Sequence, residues 1–266
     1  MPLISFASPK GGVGKTTLAA NVADALHRQG RRVVLIDLDP QNTLRLHFGV
    51  SLTDGIGFMT DLPRRAGWRH ALRTTPSGLL LLPHGGTDLP GALALARLLE
   101  REPELLLTPL REMLADPDLL VIADTAPGAT PALALLAPMS TLLIAVMLAD
   151  ATSAALVPEI SSGRFLGTGA AATALDVRLR VVLNQVDMEQ RLSRAAAEAV
   201  IRLMGPRVIG AVARDQAIAE AVACQCLLLD FAPTSLAAED LREIARGIDA
   251  ALPTATGRNE PLRGLA

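Results

Sequence analysis

The chain has 266 residues, half of them apolar, with a formal net charge of -2. This is enough apolar material for the core of a globular, enzyme-sized protein, and the balanced charge excludes a global basic field for nucleic acid. With one Trp, five Phe and no Tyr, the core must come from Leu, Ala, Val and Ile, a composition suited to helices packed on a buried sheet.

Short apolar runs recur along the chain at 3–8 (LISFAS), 32–37 (RVVLID), 78–83 (GLLLLP), 119–124 (LLVIAD), 141–146 (TLLIAV), 179–184 (LRVVLN) and 207–212 (RVIGAV). Most are continuous rather than alternating, as expected of strands covered on both faces. Helical stretches separate them. The first carries Leu18, Val22, Ala25 and Leu26 at helical spacing, with Gly30 as its C-terminal cap. Others are expected near 88–101, 103–115, 189–204 and 236–252. The alternation predicts one α/β domain over 1–252 with a mainly parallel twisted sheet flanked by helices, followed by a loose tail at 253–266. The segment 63–74, if helical, would place Arg65, Arg69 and Arg73 at i, i+4 and i+8 with Trp68 and Leu72 displaced around it, a stripe for an acidic partner or membrane surface or else a solvated face with Trp68 directed to the core. The apolar stretch 132–149 approaches the length of a membrane span, but Pro138, Ser140 and Thr141 divide it into a short helix and a strand. No secretory signal is read at MPLISFASPKGG, so a cytoplasmic protein is expected.

The first strand runs into SPKGGVGKTT, which contains both lysines of the chain, Lys10 and Lys15; the other 23 cationic side chains of 25 are arginine. A glycine-rich turn between a strand and a helix lets backbone N–H groups close around phosphate oxygens, aided by the helix dipole. The phosphate-binding residues are expected to be Gly11, Gly12, Val13, Gly14, Lys15, Thr16 and Thr17. Lys15 would reach the β- and γ-phosphates, and the Thr16 hydroxyl would ligate Mg²⁺. A compact ammonium on a flexible stem suits this role better than a planar guanidinium.

Position 9 is proline where the common phosphate-loop pattern has glycine. K-G-G-V-G-K-T-T resembles instead the deviant Walker A motif of the MinD/ParA superfamily of ATPases. That resemblance implies ATP and Mg²⁺ as cofactors, ATP hydrolysis, and an ATP-sandwich homodimer in which Lys10 crosses to the partner's nucleotide. It makes Asp39 of VVLIDLDPQ the switch I residue that positions the hydrolytic water, and Asp37 a support of the metal shell. Asp124 of LLVIADTAPG becomes the Walker B acid that holds Mg²⁺ through water, and residues 124–128 switch II. Asn184, at the end of VVLNQVD, becomes the adenine-reading residue, its amide offering both a donor and an acceptor.

DPQNTLRLHFGV, RDQAIAEAVACQCLLLDFAPTSLAAEDLREIA and AGWRHAL further resemble the MinD/ParA-like ATPase family encoded with bacterial cellulose synthase, BcsQ. That branch implies a role in cellulose synthesis or in placing the synthase, with cytoplasmic subunits of the synthase complex as partners and recruitment to the inner membrane through them. A ParA-like partition ATPase is the alternative; it would bind DNA through Arg178, Arg180, Arg191, Arg194 and Arg202. A MinD-like membrane helix at the C-terminus is disfavoured by Glu239, Asp240, Glu243 and Asp249 among Leu241, Ile244, Ile248 and Leu252, so core packing is expected there. Cys224 and Cys226 are two ligands only and do not close a zinc site, and the four histidines show no metal-ligand spacing.

Overall fold

The computed structural model of the chain describes residues 2–166 and 178–252, so the expected tail at 253–266 lies outside the described residues. Among the described residues eight strands form one sheet: β1 (Leu3–Ala7), β2 (Arg32–Asp37), β3 (Arg73–Thr74), β4 (Leu80–Leu82), β5 (Leu119–Asp124), β6 (Leu142–Leu148), β7 (Leu179–Val186) and β8 (Val208–Ala213). Their spatial order is β3-β4-β2-β5-β1-β6-β7-β8, parallel throughout except for β3 against β4. The longer helices are α1 (Lys15–Arg28), α2 (Leu89–Arg101), α3 (Glu104–Leu114), α4 (Arg191–Met204), α5 (Gln216–Ala223) and α6 (Leu236–Ala251).

The continuous apolar runs are explained by burial on two sides. On one face Ile4, Phe6, Val33, Leu35 and Ile122 pack under α1 and α6. On the other, Leu3, Val34, Ile36 and Val121 pack with Leu99 of α2 and Leu106, Leu110 and Met113 of α3. Farther along that face, Leu143, Met147, Val181 and Leu183 meet Ala197 and Val200 of α4. Leu241, Ile244 and Ile248 of α6 are almost wholly buried, which accounts for the C-terminal helix as a core element.

Gly30, at φ 94°, donates its N–H to the His27 carbonyl and turns the chain out of α1; a left-handed residue at this point favours glycine. The apolar stretch 132–149 resolves into a short helix (Pro131–Leu136) and β6. Among the described residues, no helix is long and apolar enough to cross a membrane.

The segment 63–74 corrects its expectation. It is not one helix but two 3₁₀ turns, Leu62–Arg64 and Trp68–Ala71, followed by β3. Arg65 takes φ 52° between them and Gly67 is extended, which stops helical propagation. The three arginines therefore do not share a stripe. Arg65 pairs with Glu102, Arg73 with Asp54, and Arg69 stacks 4.2 Å over the Trp68 ring. Trp68 itself is buried in the core.

Candidate nucleotide-binding site

β1 lies between β5 and β6, so its C-terminal end emerges at the middle of the sheet. Open α/β sheets place ligands at this edge. The chain leaves β1 through Ser8, whose hydroxyl donates to the Lys10 carbonyl and accepts the Lys10 N–H. Gly12 (φ 74°) and Gly14 (φ 82°) then bend the loop into the start of α1. The N–H groups of the first helical turn have no acceptor within the helix and converge on this loop. A cavity of about 220 Å³ lies there, lined by residues 10–16 together with Asp39, Gln41, Thr43 and Pro127.

Lys15 is buried, with its Nζ 2.8 Å from Asp124 Oδ1. Asp124 ends β5 directly opposite Asp37 at the end of β2. Burial, reinforced by the charge of Asp124, pushes the Asp37 carboxyl well above the usual carboxylate range, although it accepts N–H groups from Asp39 and Leu44. Burial also raises Asp124, and Lys15 opposes that rise. Among the described residues Asp124 Oδ2 has no hydrogen-bond partner. Asp124, which interacts with the Thr16 hydroxyl, and Asp37 opposite it form an oxygen donor set that fits Mg²⁺, which binds through one or two carboxylates plus phosphate and water. Asp39 follows on the loop, its Oδ1 accepting the Gln41 N–H at 2.9 Å.

Lys10 points elsewhere. Its Nζ lies 2.9 Å from Asp150 Oδ2, and Asp150 Oδ1 accepts the Ser153 N–H and so caps the short helix Ala151–Ala155. Burial pushes the Asp150 carboxyl up, but the Ser153 N–H and Lys10 outweigh it and hold the group below its ordinary value. Asp150 was not singled out from sequence. The available signal was its position just beyond β6, an acid at the ligand-bearing edge.

Asn184, near the end of β7, is buried and donates through Nδ2 to the Val13 carbonyl at 2.8 Å; its Oδ1 has no partner among the described residues. It lies where the glycine loop meets a second cavity of about 580 Å³, whose walls include Gly14, Thr17, Gln185, Arg214, Asp215 and Gln216. An unpaired amide acceptor suits an exocyclic amino group. Asp187 is engaged locally, accepting from the Glu189 N–H and Gln190 Nε2. The two cavities meet at Gly14, so a phosphate chain and a base can be held side by side. Cys224 and Cys226 carry no disulfide, and no group of three metal-ligating side chains occurs among the described residues.

A family model described as cellulose biosynthesis protein BcsQ matches residues 1–247. The chain belongs to the BcsQ family. BcsQ of Escherichia coli is 36% identical over 85 residues, covering 32% of this chain and 34% of that protein, so the alignment spans about a third of the relative's length. An uncharacterized ATP-binding protein of Methanocaldococcus jannaschii is 29% identical over 253 residues, covering 91% of this chain and 85% of that one. Among solved structures, the septum site-determining protein MinD of Pyrococcus horikoshii, complexed with Mg-ADP, superposes with a TM-score of 0.75 at 22% identity, covering 93% of this chain and 96% of that chain. The chain therefore has the fold of the MinD/ParA P-loop ATPases.

Proposed function

We propose that the chain is a Mg²⁺-dependent ATP hydrolase whose ATP-bound subunits close on each other as a homodimer, and that it serves bacterial cellulose synthesis or the placing of the synthase. The observation that carries this reading is the buried pair of Lys15 with Asp124 at the base of the glycine loop. The family assignment and the Mg-ADP bound to a protein of the same fold support it.

In this reading Gly11 to Thr17 bind the phosphate chain through backbone N–H groups, and Lys15 exchanges Asp124 for the β- and γ-phosphates. Thr16 and Asp124 hold Mg²⁺ and Asp37 supports them, while the ion when bound supplies charge neutralisation. Asp39 orients the attacking water, with no covalent enzyme intermediate. Asn184 contacts adenine. Lys10 must leave Asp150 to reach the partner subunit's nucleotide. Cytoplasmic subunits of the cellulose synthase complex are the proposed partners and would recruit the protein to the inner membrane.

The test compares ATP hydrolysis and sedimentation of the parent with those of Asp39→Ala and Lys15→Ala. Asp39→Ala should retain ATP binding, accumulate the ATP dimer and hydrolyse roughly 100-fold more slowly or worse. Lys15→Ala should lose nucleotide affinity. Hydrolysis by Asp39→Ala at the parent rate would remove the assignment. An ATP-dependent, salt-sensitive shift of duplex DNA, with a ParB-like neighbouring gene in place of synthase genes, would reassign the chain to partition.

A further inference from the structure

Ten large apolar side chains are exposed among the described residues, and four of them, Met188, Leu192, Ile201 and Leu203, belong to α4 and the turn before it. The buried face of α4 carries Ala196, Ala197, Val200 and Met204, which satisfies its packing on the sheet. The exposed leucines therefore have no role in the core. Leu192, Ala195, Ala199 and Leu203 follow one another at i, i+3, i+7 and i+11, one line along the helix. Leu192 and Leu203 are 62% and 66% exposed.

Arg191 and Arg202 precede Leu192 and Leu203 by one residue each, so both border this line on one side, and Arg194 lies farther round on that side, with Glu198 four residues from both Arg194 and Arg202. All three are exposed. Among the described residues Arg191 and Arg202 have no carboxylate partner, and Arg194 reaches only the Met188 carbonyl. Glu198 is the one acid on the helix, and Asp187 and Glu189 stand in the turn before it, where Asp187 is engaged by the Glu189 N–H and Gln190 Nε2. A convex helix with leucines at both ends of an apolar line, bordered by cations with aliphatic stems, matches the chemistry of a bilayer surface: acyl chains receive the leucines and anionic headgroups the arginines. Duplex DNA would match the arginines but would leave the leucines in water.

We propose that α4 is a peripheral docking surface for anionic lipid. It is separate from the glycine loop and requires no nucleotide. Each arginine near an anionic surface contributes roughly a fivefold gain in partition, screened by salt.

The experiment is co-sedimentation of the full chain with vesicles of phosphatidylcholine alone and of phosphatidylcholine with about one third phosphatidylglycerol, without nucleotide, at low and at physiological salt. Binding is expected to the anionic vesicles only and to weaken with salt. Arg191→Ser with Arg202→Ser should lower it on the order of 20-fold, and Leu192→Ser with Leu203→Ser should lower it by about tenfold or more. These side chains are exposed, so an unchanged thermal midpoint checks folding. Lys15→Ala should bind vesicles like the parent, which separates a failure of this inference from a failure of the ATPase reading. Absence of binding, equal binding to both vesicle types, or unchanged binding by either double variant overturns the proposal. Binding of duplex DNA in preference to anionic vesicles through the same arginines overturns it as well.

Discussion

Replacing Asp150 by Asn should promote ATP-dependent dimerisation. Lys10 is held on Asp150 at 2.9 Å within its own subunit, and the proposed dimer requires it to leave. Asn retains a side-chain oxygen to accept the Ser153 N–H, so the cap of the short helix survives while the charge is removed. Both partners are about one third exposed, and pairs of this kind contribute ~0.2–1 kcal/mol. Two subunits release two such pairs on closing, so the dimer should tighten by roughly twofold to thirtyfold. Sedimentation of Asp150→Asn and of the parent over a range of protein concentrations, with ATP and the Asp39→Ala background to suppress turnover, reads this directly. Weaker dimerisation in Asp150→Asn, with an unchanged thermal midpoint, would refute the view that Asp150 restrains Lys10 and would mean that it works within the closed assembly.

His47 is almost wholly buried, its Nδ1 without a partner among the described residues, and burial lowers its pKa to about 4. The unfolded chain takes up this proton near its ordinary value of 6.5 and the folded chain only near 4, so its contribution to stability is complete above 6.5 and declines as pH falls. The loss should be about 2 kcal/mol by pH 5; His47→Leu should show a smaller loss between pH 7 and 5 in urea denaturation, and an equal loss in both proteins would count against it. Gly14→Ala places a Cβ against Asn184 Nδ2 at φ 82°, a clash and a strained backbone costing on the order of 1–3 kcal/mol. Its thermal midpoint and ATP affinity should both fall, whereas Gly30→Ala, with open space around its Cβ position, should leave ATP affinity unchanged.

Most of the sheet was legible because a strand buried on both faces leaves a continuous apolar run, as in LLVIAD and LISFAS. The glycine loop was legible because its chemistry is local: the turn, Lys15 and the helix start are adjacent in sequence. What the sequence leaves open is long range. Lys10 and Asp150 are 140 residues apart, and Asn184 and Val13 are 171 apart; only the strand order brings them together. The helical reading of 63–74 failed where spacing competes with backbone geometry, since Arg65 adopts a left-handed conformation and Asp54 draws Arg73 to β3. α5 escaped a pattern-based reading because it is short, although Asp215 at its start is a recognisable cap, its Oδ1 accepting the Ala217 N–H.

The edge of the sheet that bears the site continues past its strands through single hydrogen bonds. Leu38 donates its N–H to the Asp124 carbonyl and Gly128 donates to that of Ser8, each at 2.8 Å. These two links tie the segment after β2 to the end of β5, and the segment after β5 to the segment after β1. The acids that end β2 and β5 are therefore set against the glycine turn by backbone links as well as by the Lys15–Asp124 pair.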